Sequence, residues 1–293
     1  VIGAVGLNLL TGFTGQISLG HAAFMGVGGY TLAILITRYN FSFWLALPCA
    51  GLVSAFFGVI IGSASLRVKG LYLSIATLAA QFIFSFIFIR WESMTHGIRG
   101  INIPAPTLGS IHFDTEQRFY FLTLFITVLA VGYARNLVRA PMGRAFVAIR
   151  ERDIAAEIMG INLFKYKLIA FAVSSFYAGI GGALLVSFMK LVTPPHFPFS
   201  LSIHYLAMII TGGLGSILGS IFGAIFMTLI PELLNIMTSY MNEIVTGFET
   251  IFNPLKETIF GILIVVFLIF EPRGLVAIWY RIKRFFLLWP FSY

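Results

Sequence analysis

The chain has 293 residues, 59% of them hydrophobic and only 10% charged, where a soluble globular protein is typically about 25% charged. An ordinary soluble enzyme is thereby excluded, because uncharged stretches of 37, 24, 19, 22 and 41 residues (1–37, 43–66, 71–89, 168–189 and 191–231) have the length, roughly 20 residues, that crosses a bilayer. The net charge of +8 reads as Lys and Arg gathered on the cytoplasmic side of a membrane rather than as a nucleic-acid partner.

The charges locate the loops. In chain order, spans are expected at about 1–14, 18–37, 43–66, 71–89, 119–134 and 168–189, with a shorter last one at 258–270. The chain opens at Val1 already apolar, and the expectation is that an N-terminal piece, including one more helix, precedes it. Cys49 stands inside an apolar run as a small buried hydrophobe, which leaves no disulfide and no multi-cysteine metal site. The 41-residue run is twice too long for one helix and is broken by Pro194, Pro195, Pro198 and the pair Gly212–Gly213. It should cross twice, or dip in and return. The expected fold is therefore all-α, a single polytopic transmembrane domain over 1–293 with interrupted or re-entrant glycine-rich segments.

Alternation of the spans puts thirteen of the nineteen cations on one face, among them Arg67, Lys69, the seven between Arg135 and Lys167, Arg273, Arg281, Lys283 and Arg284. That face is cytoplasmic by the positive-inside bias. The loop 135–167 then lies inside the cell, whereas Arg90–Arg118, with Pro104 and Pro106, and the mixed segment Ser239–Lys256 lie outside. Two glycine-dense runs, Gly12 to Gly29 and Gly212 to Gly223, fall one in each half, as interrupted segments do in transporters built from repeats around a midplane site.

All eleven carboxylates sit at helix ends or in loops. Ion-coupled carriers place an ionisable residue inside the bundle, where its cost is tolerated for function, so no ion-coupling site is visible. A Gly-x-x-x-x-Gly-Lys-Ser/Thr loop is missing too; if the chain pumps, another subunit supplies the energy. Residues 145–160, Ala-Phe-Val-Ala-Ile-Arg-Glu-Arg-Asp-Ile-Ala-Ala-Glu-Ile-Met-Gly, read as one short amphipathic helix with small Ala155 and Ala156 and a stop at Gly160. Such a helix is either a docking element or a solvated connector.

Gln16, Ser18 and His21, with Asn8, are the polar members of an otherwise apolar segment; they line a pathway or hinge, or hydrogen-bond between helices. His21 has no His, Cys or carboxylate at ligand spacing, so no metal and no cofactor is expected. Gly215, Gly219 and Gly223 recur every fourth residue as a ridge for close helix packing, with lining of the pathway as the alternative. Trp91, Trp279, Tyr280, Trp289 and Tyr293 fit aromatic belts, and Arg281, Lys283 and Arg284 beside Phe285 and Phe286 read as a membrane-surface anchor rather than an ATPase contact. No paired carboxylates and no Ser/His/Asp arrangement suggest catalysis.

Several motifs carry a resemblance. Ala155-Ala156-x-x-x-Gly160 is similar to the coupling-loop pattern of ABC importer permeases, and Ile149–Phe171, Gly6–Gly26, Arg67–Leu78, Gly212–Ala224 and Glu271–Leu275 together resemble branched-chain amino acid permeases of the LivM type over residues 3–276. The resemblance implies a multi-pass permease subunit of an importer in a bacterial or archaeal cytoplasmic membrane. It implies two cytoplasmic ATPases, a second homologous permease subunit, an external solute-binding protein, and leucine, isoleucine and valine as substrates. It also implies a coupling role for Arg150, Glu151, Arg152, Asp153, Ala155, Ala156, Glu157 and Gly160. Ile154 stands where the wider importer pattern has Glu, and Thr95, His96 and Arg99 interrupt a stretch that the family keeps glycine-rich. A permease for urea or short-chain amides looks much the same. A stand-alone channel or carrier and a membrane enzyme are alternatives of other classes.

Overall fold

The computed structural model describes residues 1–65, 71–108, 111–244 and 274–288, with isolated positions between 258 and 271. The segment Arg67–Lys69, Arg273, most of the expected 239–256 loop, part of the expected 258–270 span, Trp289 and Tyr293 lie outside the described residues. By contact, the chain falls into two compact units, Ile2–Leu206 and Ala207–Tyr293, the second also taking Val1.

In the first unit the helices are α1 (Ile2–Thr14), α2 (His21–Tyr39), α3 (Phe43–Ser65), α4 (Leu71–Arg90), the single turn α5 (Glu92–Thr95), α6 (Glu116–Arg139), α7 (Pro141–Glu151), α8 (Asp153–Ile158), α9 (Leu163–Met189) and the start of α10 (Phe199–Gly212). All of these except α5, α7 and α8 fall on uncharged runs, because in hydrocarbon every backbone N–H and C=O must be paired within its own segment. Among the described residues of the whole chain, five helices are long and apolar enough to cross a membrane: 43–64, 72–90, 116–139, 163–189 and 217–238.

Every residue of α1 is buried, as expected of a helix that is apolar all round. Helix α9 packs on α1, α2 and α3. Gly28 lies so close to Gly179 that a side-chain carbon at either would overlap neighbouring backbone or side-chain atoms, and the Ser54 hydroxyl donates to the Phe24 carbonyl at 3.0 Å across α2 and α3. Small residues and hydroxyls thus join these helices, in keeping with packing inside a bilayer. Helix α6 buries only Phe119, Leu122, Ala134 and Leu137. Cys49, on α3, is half-buried rather than enclosed.

Among the described residues almost no strand is present. The ribbon β1 (Ile101–Asn102) pairs with β4 (Leu191–Val192) in antiparallel register Ile101 to Val192, and β2 (Thr107–Leu108) with β3 (Ile111–His112). The first ribbon anchors the long loop after α5. There Thr95, 3% exposed, has its hydroxyl 2.8 Å from the carbonyls of Phe88 and Trp91 and accepts from the Gly97 N–H.

In the second unit the end of α10 is followed by a break at 213–216, α11 (Ile217–Ile244) and α12 (Leu275–Leu288). The 41-residue run is thus split into a helix of 14 residues, about 21 Å long and short of the roughly 30 Å hydrocarbon core, and one of 28. A side-chain carbon on Gly219 or Gly223 would overlap the backbone of Gly212 or Met208, so these two form a packing ridge. Gly215 does not belong to it: with φ at +75° it makes the turn itself. Helix α12 carries Arg281, Lys283 and Arg284 exposed beside Phe285 and Phe286, and Arg281 reaches Glu271 at 3.3 Å.

Candidate functional site

Two features of the first unit carry the chemistry. The first is α7, α8 and the turn that follows. Pro141 opens α7 at its first turn, where a missing N–H costs nothing. Phe146 and Ile149 bury its inner face against the unit. The chain does not continue as one amphipathic helix to Gly160 as expected. Arg152 adopts φ −156° and ψ 108°, and this extended residue divides the segment into α7 and α8. Its own N–H closes α7 on the Ala148 carbonyl, and its carbonyl accepts the Ala156 N–H to start α8.

The end of α8 is shaped by Gly160, whose φ of +86° suits glycine. The Ile161 N–H donates to the Ala156 carbonyl and the Gly160 N–H to the Glu157 carbonyl, which is the paired bonding of a Schellman closure. Asp153 lies in the first turn of α8 and meets the Lys167 ammonium of α9 at 2.7 Å, a position that the helix dipole favours for an acid.

This geometry sorts the expected coupling residues. Ala156 is fully buried and Asp153 is held by Lys167; the Arg150 guanidinium donates to the Gly12 carbonyl of α1 at 2.7 Å. Glu151, Arg152, Ala155, Glu157 and Gly160 are exposed. Sequence reasoning missed the residues that dominate the outer face, Ile154, Ile158 and Met159, which are 72%, 81% and 70% exposed. Their signal was legible: apolar residues at i and i+4 opposite a buried alanine. Beside them Glu157, Gly160, Asn162, Phe164 and Lys167 line a surface cleft of about 570 Å³.

The second feature is the link between α1 and α2, residues 15–20. Gln16, Ser18 and His21 are all brought together here and are buried, as is Asn8 two turns back on α1. Gln16 Nε2 donates to Thr14 Oγ1 at 2.8 Å while its Oε1 has no hydrogen-bond partner. Ser18 Oγ accepts from the Gly20 N–H at 3.4 Å. His21 hydrogen-bonds to the backbone of Gly3, its Nε2 is unpartnered, and its ring lies 5.3 Å from that of Tyr205 on α10.

Three residues that the sequence did not single out hold this link. Thr77 on α4 accepts from the Leu19 N–H at 2.9 Å, Ser202 on α10 accepts from the Ala22 N–H at 2.9 Å, and Ser74 donates to the Ile17 carbonyl at 3.2 Å. They lie 57 to 180 residues away in the chain, and no local pattern announces such partners. Gln81 on α4 donates to the Phe197 carbonyl and leaves its own Oε1 unpartnered. Buried polar atoms without partners are few in native proteins, and two of them, Gln16 Oε1 and His21 Nε2, fall in or beside this link. No group of three metal-ligating side chains occurs among the described residues, and no described carboxylate is buried.

Comparison with known proteins fits this arrangement. Residues 1–268 match the model of the family described as branched-chain amino acid transport system / permease component. The high-affinity branched-chain amino acid transport system permease protein LivM of Salmonella typhimurium is 33% identical, over 94% of this chain and 67% of its own length. Its counterpart in Escherichia coli K12 is 32% identical over the same shares. A guanosine ABC transporter permease of Bacillus subtilis, NupQ, is 25% identical over 61% of this chain and 60% of its own. No solved structure matches.

Proposed function

Because the chain belongs to the family of branched-chain amino acid transport system permease components, we propose that it carries leucine, isoleucine and valine across the cytoplasmic membrane as one of two related permease subunits. Two ATPases on the cytoplasmic side drive it, and an extracytoplasmic solute-binding protein feeds it. It is a multi-pass membrane transport subunit and not an enzyme; hydrolysis belongs to the partners.

The observation that carries the ATPase reading is the outer face of α8. Ile154, Ile158 and Met159 stand exposed on a helix whose opposite side is tied down through Ala156 and Asp153. On a solvated connector such side chains are a liability. Fully burying each in a partner's groove is favourable by about 1.5–3 kcal/mol, while Glu151, Arg152 and Glu157 supply a charged rim of the kind that fixes register. Rocking of the ATPases moves α8 and α7, and the bundle opens its polar link to one face and then the other. Asn8, Gln16, Ser18 and His21 are the residues that meet the passing solute.

The test is uptake of labelled leucine, and separately of urea, in cells carrying all subunits, with Ile158→Asp beside wild type. The expected result is ATPase-dependent leucine uptake that falls at least tenfold in the variant at unchanged membrane levels, since a charge in an apolar interface forfeits its burial. Gly160→Trp is the harsher variant, because it also strains the closing turn. Urea uptake in place of leucine would change the substrate and keep the mechanism. Uptake that persists without ATPases would overturn the importer reading in favour of a channel or carrier.

A further inference from the structure

We propose that Arg150 is the positioning residue that carries movement of α7 into the α1–α2 link, rather than a contact to the ATPase. The inference rests on the reading of the chain as an ATP-driven permease.

The carbonyl it holds is one that the helix end leaves free. In a continuing helix the Gln16 N–H would bond the Gly12 carbonyl. Here it turns back to the Leu10 carbonyl at 3.3 Å, with the Gly15 N–H on Thr11 at 3.2 Å. Gly12 is thereby left to an outside donor, and the Arg150 Nη1 supplies it at 2.7 Å. A cation at a helix C-terminus is favoured twice, by the orphan carbonyl and by the dipole. The contact continues past the helix end. At Gly15, where φ is +71°, a side-chain carbon would lie 3.6–3.7 Å from Cγ and Cα of Arg150, so the stem of the arginine lies along the link as its head grips α1.

The far end of the link is fixed elsewhere. Leu19 is held by Thr77 and Ala22 by Ser202, on α4 and α10. The segment carrying Gln16 and Ser18 is therefore gripped at one end by α7 and at the other by the bundle. A shift of α7 must change the distance between the two grips, and the buried polar atoms between them move with it. Arginine suits the task because its charge is permanent and its planar fork fixes direction, whereas lysine offers a rotating point charge on a flexible stem.

The test uses the complete transporter in proteoliposomes, with its ATPases and binding protein, and reads leucine taken up per ATP hydrolysed. For Arg150→Met, hydrolysis is expected to persist while uptake per ATP falls by about 5- to 150-fold, the usual range of coupling between sites. Arg150→Lys should lie between, and Arg144→Met, an exposed residue of the same helix, should keep the wild-type ratio. Arg150→Met at the wild-type ratio overturns the inference, and so does equal loss of hydrolysis and uptake, which is what a docking contact would give. If the methionine variant fails to assemble, the lysine variant decides: a wild-type ratio there also overturns it. Wild-type uptake that ignores the ATPases would instead remove the functional reading on which the inference stands.

Discussion

The two glycine-rich breaks look alike in sequence and are held by different forces. The link at 15–20 is tied by side chains from distant helices, Thr77, Ser202 and Arg150, and encloses polar atoms that lack partners. The break at 213–216 is framed by backbone against backbone, Gly212 on Gly219 and Gly223 on Met208, with no room for even a methyl group. A polar, tethered link can exchange hydrogen bonds as it moves, whereas a glycine ridge has only one close-packed arrangement to keep. The switching role proposed above therefore falls to the first, and the second is expected to hold its packing.

Substitutions can break or sharpen that contrast. The largest effect is expected at the ridge: Gly223→Val drives a branched side chain into the Met208 backbone and should cost about 3 kcal/mol or more, read as loss of the folded protein in detergent thermal melts. Ser202→Ala comes next, since removing a cap-type acceptor from the Ala22 N–H costs about 1 kcal/mol, seen as a melting point lower by a few degrees. Gln16→Leu should barely move the melting point, because an apolar isostere removes an unsatisfied group as well as a bond, yet leucine uptake should fall. Equal losses of stability and uptake would make Gln16 a packing residue only. A small shift is also expected for Asp153→Asn: its partly buried ion pair with Lys167, with side chains 28% and 14% exposed, contributes about 1 kcal/mol, and raised salt should shrink the difference.

Most spans were legible because charges bound them: α3, α4, α6 and α9 begin and end within a few residues of charged positions, whereas α1 and most of α2 share one uncharged run and α2 is not among the five helices long and apolar enough to cross a membrane. Less could be read where tertiary contacts decide. Nothing local marks Arg152 as extended; its break follows from burying Ile149 on one side of it and Ala156 on the other. The charges drew attention away from Ile154, Ile158 and Met159. Ser202 could not be paired with Ala22 across 180 residues from pattern alone, and the Ile101–Val192 ribbon is equally remote. At Gly160 the sequence was enough, since a glycine after an apolar turn is a recognised helix stop.

The closure at Gly160 bears on how fast and how tightly two proteins can meet. Its two hydrogen bonds lie wholly within the chain, and Asp153 is fixed by Lys167 of the same chain. The knob formed by Ile154, Ile158 and Met159 thus has its shape before any partner arrives, and association need not spend conformational entropy on folding it. In the ATPase docking proposed above, such a preformed knob is expected to associate at about 10⁵–10⁷ M⁻¹s⁻¹, with a heat-capacity change set by the apolar area covered and no added contribution from helix formation.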